Sequence, residues 1–285
     1  MHNIKKTIQL FSFFIIISSL FSVSFIVPAE YTFQTLEPIT QITSDDTVEY
    51  RAVIVALGEG LIYSIPQMNG FITTLKNGGN WQDKNIHTLT NSRAEEQDIY
   101  NELQWLNESA DDNDVSLFYF IGHGGSIQVN EYILAYDDPI YDYELDAYLE
   151  PIKGTVIVFI DACYSGGFIK ELQNPNTIVM TACARDEPTY QVHDLKSGIF
   201  GYFLNMSISW LTKNVETSYI YTKIFTYMYS KQLNNTYSDV NIVHPQFYDG
   251  TSGATKLISH HAYVKNIIQF IKNLSFDGKT MYWRM

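Results

Sequence analysis

Cysteine is scarce in this chain. Cys163 and Cys183 are the only two among 285 residues, so at most one disulfide can form. Basic residues are also in short supply, 18 against 31 acidic, for a formal net charge of −13. That balance argues against a nucleic-acid partner, which needs a basic surface. It is compatible with cationic substrates or calcium, and equally with plain solubility. Beyond the first stretch no segment is apolar enough to cross a membrane, and neither an internal repeat nor a low-complexity tract occurs.

What is present points to a globular, exported chain. Apolar residues make up 46%, which excludes a disordered chain. Tyrosine and phenylalanine (21 and 17) favour a sheet-rich core. Lys5 and Lys6 precede an apolar run from Ile8 to Val27, followed by Pro28 and Ala29. This is the pattern of a signal peptide or, left uncut, of a membrane anchor, since about 20 apolar residues suffice to span. Residues 1–29 are therefore expected to deliver the chain to the extracellular space or the outer face of a membrane. Any membrane contact is expected through this segment alone.

Residues 30–49 are polar and without period, and read as a linker or pro-segment. The regular pattern begins at Tyr50. Four nearly continuous apolar runs, Arg51–Leu57, Val115–Ile121, Thr155–Ile160 and Thr177–Thr181, fit strands buried on both faces. Helical patterns lie between and after them. Ser92 with Glu95 reads as a capping box before Ile99, Leu103 and Leu106. Tyr143–Leu149, Ile199–Leu211 and Ser218–Leu233 read as further helices. Alternating strands and helices predict an α/β domain over 50–253, a mostly parallel sheet covered on both sides. The tail, 254–285, carries helical spacing at Val264, Ile267, Ile268 and Ile271.

In parallel sheets the working residues sit at the carboxyl ends of strands. Two segments qualify: Gly122-His123-Gly124-Gly125 after the second run, and Asp161-Ala162-Cys163-Tyr164-Ser165-Gly166-Gly167 after the third. A histidine between glycines allows close approach of the backbone to a ligand, and the Gly124 amide can donate to an oxyanion. A cysteine on a strand-to-loop elbow near an imidazole is a candidate thiolate nucleophile. Taken singly, His123 is as readily a turn residue and Cys163 a small buried hydrophobe. Their pairing at equivalent strand ends favours chemistry.

The segments FYFIGHGG and VIVFIDACYSGG closely resemble the signature blocks of the caspase-like clan of cysteine peptidases, which includes caspases, metacaspases, legumain and clostripain. Prokaryotic caspase- and metacaspase-like peptidases are the nearest in pattern. The resemblance implies a caspase-like αβα sandwich and a His123/Cys163 dyad. It also implies an oxyanion hole from the amides of Gly124 and Cys163. Asp161 would line the pocket for a substrate arginine or lysine, with Asp186 as a second pocket acid. The expected partners are proteins or peptides with Arg or Lys at the cut.

Competing readings remain. A Cys163–Cys183 disulfide is conceivable and would abolish activity. An inactive surface binding module on the same fold, and a legumain-type transpeptidase, are the alternatives to hydrolysis. No cofactor is required, but Asp137, Asp138, Asp142 and Asp146 admit calcium as an activator, against the blander reading of a solvated acidic face. His260-His261 lacks metal-ligand spacing, and no metal site is expected.

Overall fold

The four apolar runs become the central strands of a six-stranded sheet. The computed structural model describes residues 47–261 and the backbone of Tyr282–Arg284. Residues 1–29, read as a signal peptide or membrane anchor, residues 30–46 and the helical spacing at Val264–Ile271 lie outside the described residues.

In chain order the elements are β1 (Tyr50–Ala56), α1 (Ser64–Asn77), β2 (Ile86–Thr90), α2 (Glu96–Ser109) and β3 (Val115–Ile121). A small antiparallel sheet follows, β4 (Gly124–Ile127), β5 (Asn130–Leu134) and β6 (Pro139–Tyr141), then α3 (Asp142–Leu149) and β7 (Thr155–Asp161). Next come α4 (Phe168–Glu171), β8 (Thr177–Thr181), β9 (Tyr190–Val192) and β10 (Ser197–Gly198). The remainder is α5 (Ile199–Met206), α6 (Val215–Asn234), β11 (Gln246–Asp249) and β12 (Tyr282–Arg284).

The main sheet has the order β11-β8-β7-β3-β1-β2. It is parallel except for β11, which runs antiparallel to β8 at the edge. Alternate residues along each strand feed two cores. Ile54, Tyr119, Phe159 and Met180 face α1 and α5. Val53, Phe118, Val158 and Val179 face α2 and α3. This two-sided burial is why the strands read as unbroken apolar runs. A third cluster, with Tyr190, Val192, Phe203, Tyr229 and Leu233, ties β9 to α5 and α6.

The capping box expected at Ser92 and Glu95 does not form. Asn91–Arg93 make a 3-10 turn, with Asn91 at φ 49°, and α2 starts only at Glu96. The Glu96 amide donates instead to Asp137 Oδ1 at 2.7 Å, so a loop acid caps the helix from a distance in sequence. Among the described residues no helix is long and apolar enough to cross a membrane. Beyond the sheet, Leu257 and Ile258 are buried at the far end of α1, where Trp81 Nε1 donates to the Leu257 carbonyl at 2.7 Å.

Candidate active site

Strands β3 and β7 lie side by side and in register, with Ile121 opposite Asp161. The Gly122 amide extends the ladder by donating to the Asp161 carbonyl at 3.2 Å. The residues that follow, His123 and Cys163, are thus brought to the same end of the sheet by strand pairing alone. Gly124 packs against the turn after β7. A Cβ there would stand 2.6 Å from the Cys163 carbonyl oxygen and 2.9 Å from the Ala162 Cβ. Only a glycine permits that approach.

His123 is partly exposed and its Nε2 lies 3.1 Å from the Glu59 carbonyl oxygen. That carbonyl belongs to the turn after β1, where Gly60 takes a φ of 71°. The contact fixes the ring's orientation from a third strand end. Next to it a cavity of about 420 Å³ is lined by Leu61, Ile62, Ile65 and Tyr136 together with the Gly58–Glu59 turn and Asn91.

Cys163 is 2% exposed. Its sulfur accepts a hydrogen bond from the Thr189 amide at 3.3 Å and faces the Thr189 carbonyl at 3.7 Å. The next residue, Tyr164, is held in the left-handed region at φ 62°, a conformation that costs a non-glycine residue about 1–2 kcal/mol. Its amide donates to the Glu187 carbonyl at 2.8 Å, which holds the elbow in this shape.

Cys183 lies at the equivalent end of β8 and is a separate, free thiol, so the disulfide is not formed. It is fully buried and donates to the carbonyls of Glu187 and Ala162 at 3.1 and 3.4 Å. Burial pushes this thiol up to about 12.

Asp161 shares the sheet face of Phe159 and is fully buried. Gln67 Nε2 on α1 donates to its Oδ2 at 2.7 Å, and the Gly201 amide does so at 3.1 Å. Its Oδ1 is buried without a hydrogen-bond partner. Desolvation raises the carboxyl from the usual 3.8 to about 7. Gln67 is the hub here: its Oε1 accepts from Ser197 Oγ and the Gly198 amide, and its Nε2 also donates to Tyr119 Oη. Asp186 is different in kind. It is exposed on the turn between β8 and β9.

The residues that hold this turn carry no local sequence signal. Arg185 pairs with the buried Glu131 of β5 at 2.7 Å, and its Nη2 donates to the Val129 carbonyl. The Glu187 carboxylate accepts the amides of Ala184 and His244 and touches His244 Nδ1. His244, expected only to pack or turn, thus anchors the loop that carries Thr189 past the Cys163 sulfur. Three of the four acids considered for calcium are engaged within the protein by their side chains. Asp137 caps α2, Asp142 accepts from the Glu131 and Tyr143 amides, and Asp146 accepts from Asn174. Among the described residues no group of three or more histidine, cysteine or acidic side chains is placed to hold a metal.

The model of the peptidase C13 family matches residues 80–257, which include both strand-end motifs. The chain belongs to that family. It is a cysteine-type peptidase of the caspase-like, legumain-related clan that its motifs resemble. Caspase-1 from Spodoptera frugiperda superposes with a TM-score of 0.57 at 10% identity, over 80% of this chain and 100% of that one. A Geobacter sulfurreducens protein of known structure superposes with a TM-score of 0.52 at 11% identity, over 72% and 94%. Both likenesses concern the fold. No curated protein matches the sequence. The caspase-like αβα architecture expected from the motifs is the one this C13 peptidase has.

Proposed function

We propose that the chain is a cysteine endopeptidase that cleaves after arginine or lysine, with Cys163 as nucleophile and His123 as proton carrier. The Thr189 amide aimed at the sulfur supplies a donor to the thiolate that forms once His123 takes the Cys163 proton. The sulfur attacks the carbonyl carbon before the cut, and the amides of Gly124 and Cys163 receive the developing oxyanion. His123, oriented by the Glu59 carbonyl, gives its proton to the leaving amine and then takes one from the water that releases the acid. The close packing of Gly124 on Cys163 supports this assignment of the oxyanion donors.

The observation that carries the basic preference is Asp161. A buried carboxylate with one oxygen unpartnered, two residues before the nucleophile, is an acceptor in want of a donor. A guanidinium or ammonium supplies that donor, and the charged bond is worth about 1.5–3 kcal/mol. The same group rejects a substrate aspartate. Exposed Asp186 adds negative charge at the surface and helps recruit basic segments. The N-terminal apolar segment supports an extracellular or outer-membrane-face location for this activity.

The test is a set of fluorogenic peptides that differ only at the residue before the cut, assayed with and without calcium. Turnover after Arg and Lys is expected to exceed that after Asn or Asp by about 100-fold, as two to three kcal/mol of differential binding implies. A preference for Asn or Asp overturns the assignment of Asp161.

A further inference from the structure

His123 and Cys163 end adjacent strands, but the chain leaves them in different directions. After His123 it enters the small sheet, where the Leu134 amide of β5 donates back to the His123 carbonyl at 2.9 Å and Gly124 stands opposite Ile133. After Cys163 it makes the elbow 164–167, whose first amide, that of Tyr164, is held by the Glu187 carbonyl. Glu187 lies on the turn after β8, two residues before Thr189. One ion pair joins all three segments. Glu131 of β5 is 1% exposed, and its carboxylate lies so close to Gly167 that a Cβ there would overlap it. Its Oε1 accepts from Arg185 Nε at 2.7 Å, and Arg185 Nη2 donates to the Val129 carbonyl at 2.7 Å. A single guanidinium from the turn after β8 thus grips the β4–β5 hairpin twice.

A carboxylate taken out of water is costly unless it is paired. Burial raises the Glu131 carboxyl above its usual range, and the Arg185 guanidinium opposes that rise. A neutral side chain of similar volume fills such a space without this cost, so packing alone does not call for the charge. We propose that Glu131 and Arg185 are a positioning pair, whose bond locks the arm that carries His123 and Gly124 to the two loops that carry Cys163 and Thr189. Neither residue touches the reacting atoms. The ladder between β3 and β7 sets where the two strands end. The pair sets how the loops beyond them meet, and proton transfer and oxyanion binding tolerate little error there. The inference rests on the reading of His123 and Cys163 as the dyad and is independent of the basic preference.

The Arg185 side chain is 51% exposed, so it can be replaced without opening the core. Arg185→Met, Arg185→Lys, Glu131→Gln and the double variant Glu131→Gln/Arg185→Met are compared with the wild type as full chains. Arg185→Met is expected to lower kcat roughly 10- to 100-fold with KM little changed, as displacement of a catalytic group by up to one ångström implies. Arg185→Lys keeps the charge and is expected to recover most of that loss. The double variant is expected to lose no more than Arg185→Met alone, because two partners in one bond are not additive. Hydrogen exchange followed by mass spectrometry gives a readout that needs no substrate. In Arg185→Met, exchange is expected to quicken in residues 124–134 and 164–167 together. Unchanged kcat, additive losses in the double variant, or quickening confined to one of the two segments overturns the proposal. If Glu131→Gln no longer melts cooperatively, the two Arg185 variants carry the comparison. Quickening of both segments in a chain whose turnover survives Cys163→Ala leaves the bracing standing and removes the dyad instead.

Discussion

The loops after β7 and β8 make an informative pair. Each follows a buried parallel strand, each carries a cysteine, and both thiols are almost wholly out of solvent. After β8, Cys183 meets the carbonyl oxygens of Ala162 and Glu187 and the Ser165 hydroxyl, and burial pushes its thiol up to about 12. After β7, Cys163 has an amide donor on its sulfur, a left-handed residue behind it and a glycine backbone from the next strand against its carbonyl. Burial is common to both thiols. What differs is the backbone that frames each sulfur, a left-handed elbow and a close glycine at Cys163 against two carbonyl oxygens at Cys183.

The largest effect should come from exchanging the two thiols' fates. Cys163→Ala is expected to lower kcat by many orders of magnitude with an unchanged melting curve, and Cys183→Ala to keep at least a tenth of the wild-type rate. Loss of activity in the Cys183 variant alone would reverse the comparison.

Asp161→Asn comes next. It is expected to reduce kcat/KM for Arg and Lys peptides about 100-fold, as loss of a charged hydrogen bond implies. The same variant has a stability signature. The folded carboxyl is raised to about 7 from 3.8, so the folded chain holds a proton that the unfolded chain releases in between. The group's stabilising contribution is complete below pH 3.8 and is lost as pH rises through about 7. Asp161→Asn is therefore expected to melt several degrees above wild type at pH 8.5, with the gap closing below pH 4. A variant that melts lower at every pH would mean that the buried carboxylate is fully compensated.

Gly124→Ala tests the backbone packing. The added methyl meets the Cys163 carbonyl at 2.6 Å, with no flexible group to yield. An activity loss of about 100-fold or more is expected, as for an oxyanion donor moved out of place. Undiminished kcat would remove Gly124 from the site. The smallest effect belongs to the outer anchor. His244→Ala frees the Glu187 carboxylate from one of its partners and should lower kcat about tenfold while KM changes little, since the loop positions Thr189 rather than substrate.

The sequence was most legible where burial is uniform. Val115–Ile121 and Thr177–Thr181 were bounded to the residue, because strands buried on both faces leave no polar interruption. The strand ends then pointed to His123 and Cys163. The rest was hidden for identifiable reasons. β2 (Ile-His-Thr-Leu-Thr) is a half-exposed edge strand with no apolar run to mark it. α1 is interrupted by Pro66, Asn69 and Gly70, which blur its period, and with it went Gln67, the residue that grips Asp161. β9 is only three residues long, and its partner β12 and the contact of the preceding Thr189 with Cys163 are far away in sequence. Glu187 and His244 make polar contacts across 57 positions, and no local pattern encodes such a pair. A helical tail was expected through residue 285, whereas Tyr282–Arg284 form a strand.

The most direct test is covalent capture. A short peptide ending in an arginyl acyloxymethyl ketone is incubated with the full chain, and the modified residue is located by tandem mass spectrometry. A thioether on Cys163 is expected, absent in His123→Ala and not formed by the aspartyl counterpart. Labelling of Cys183, or faster capture by the aspartyl reagent, would contradict it.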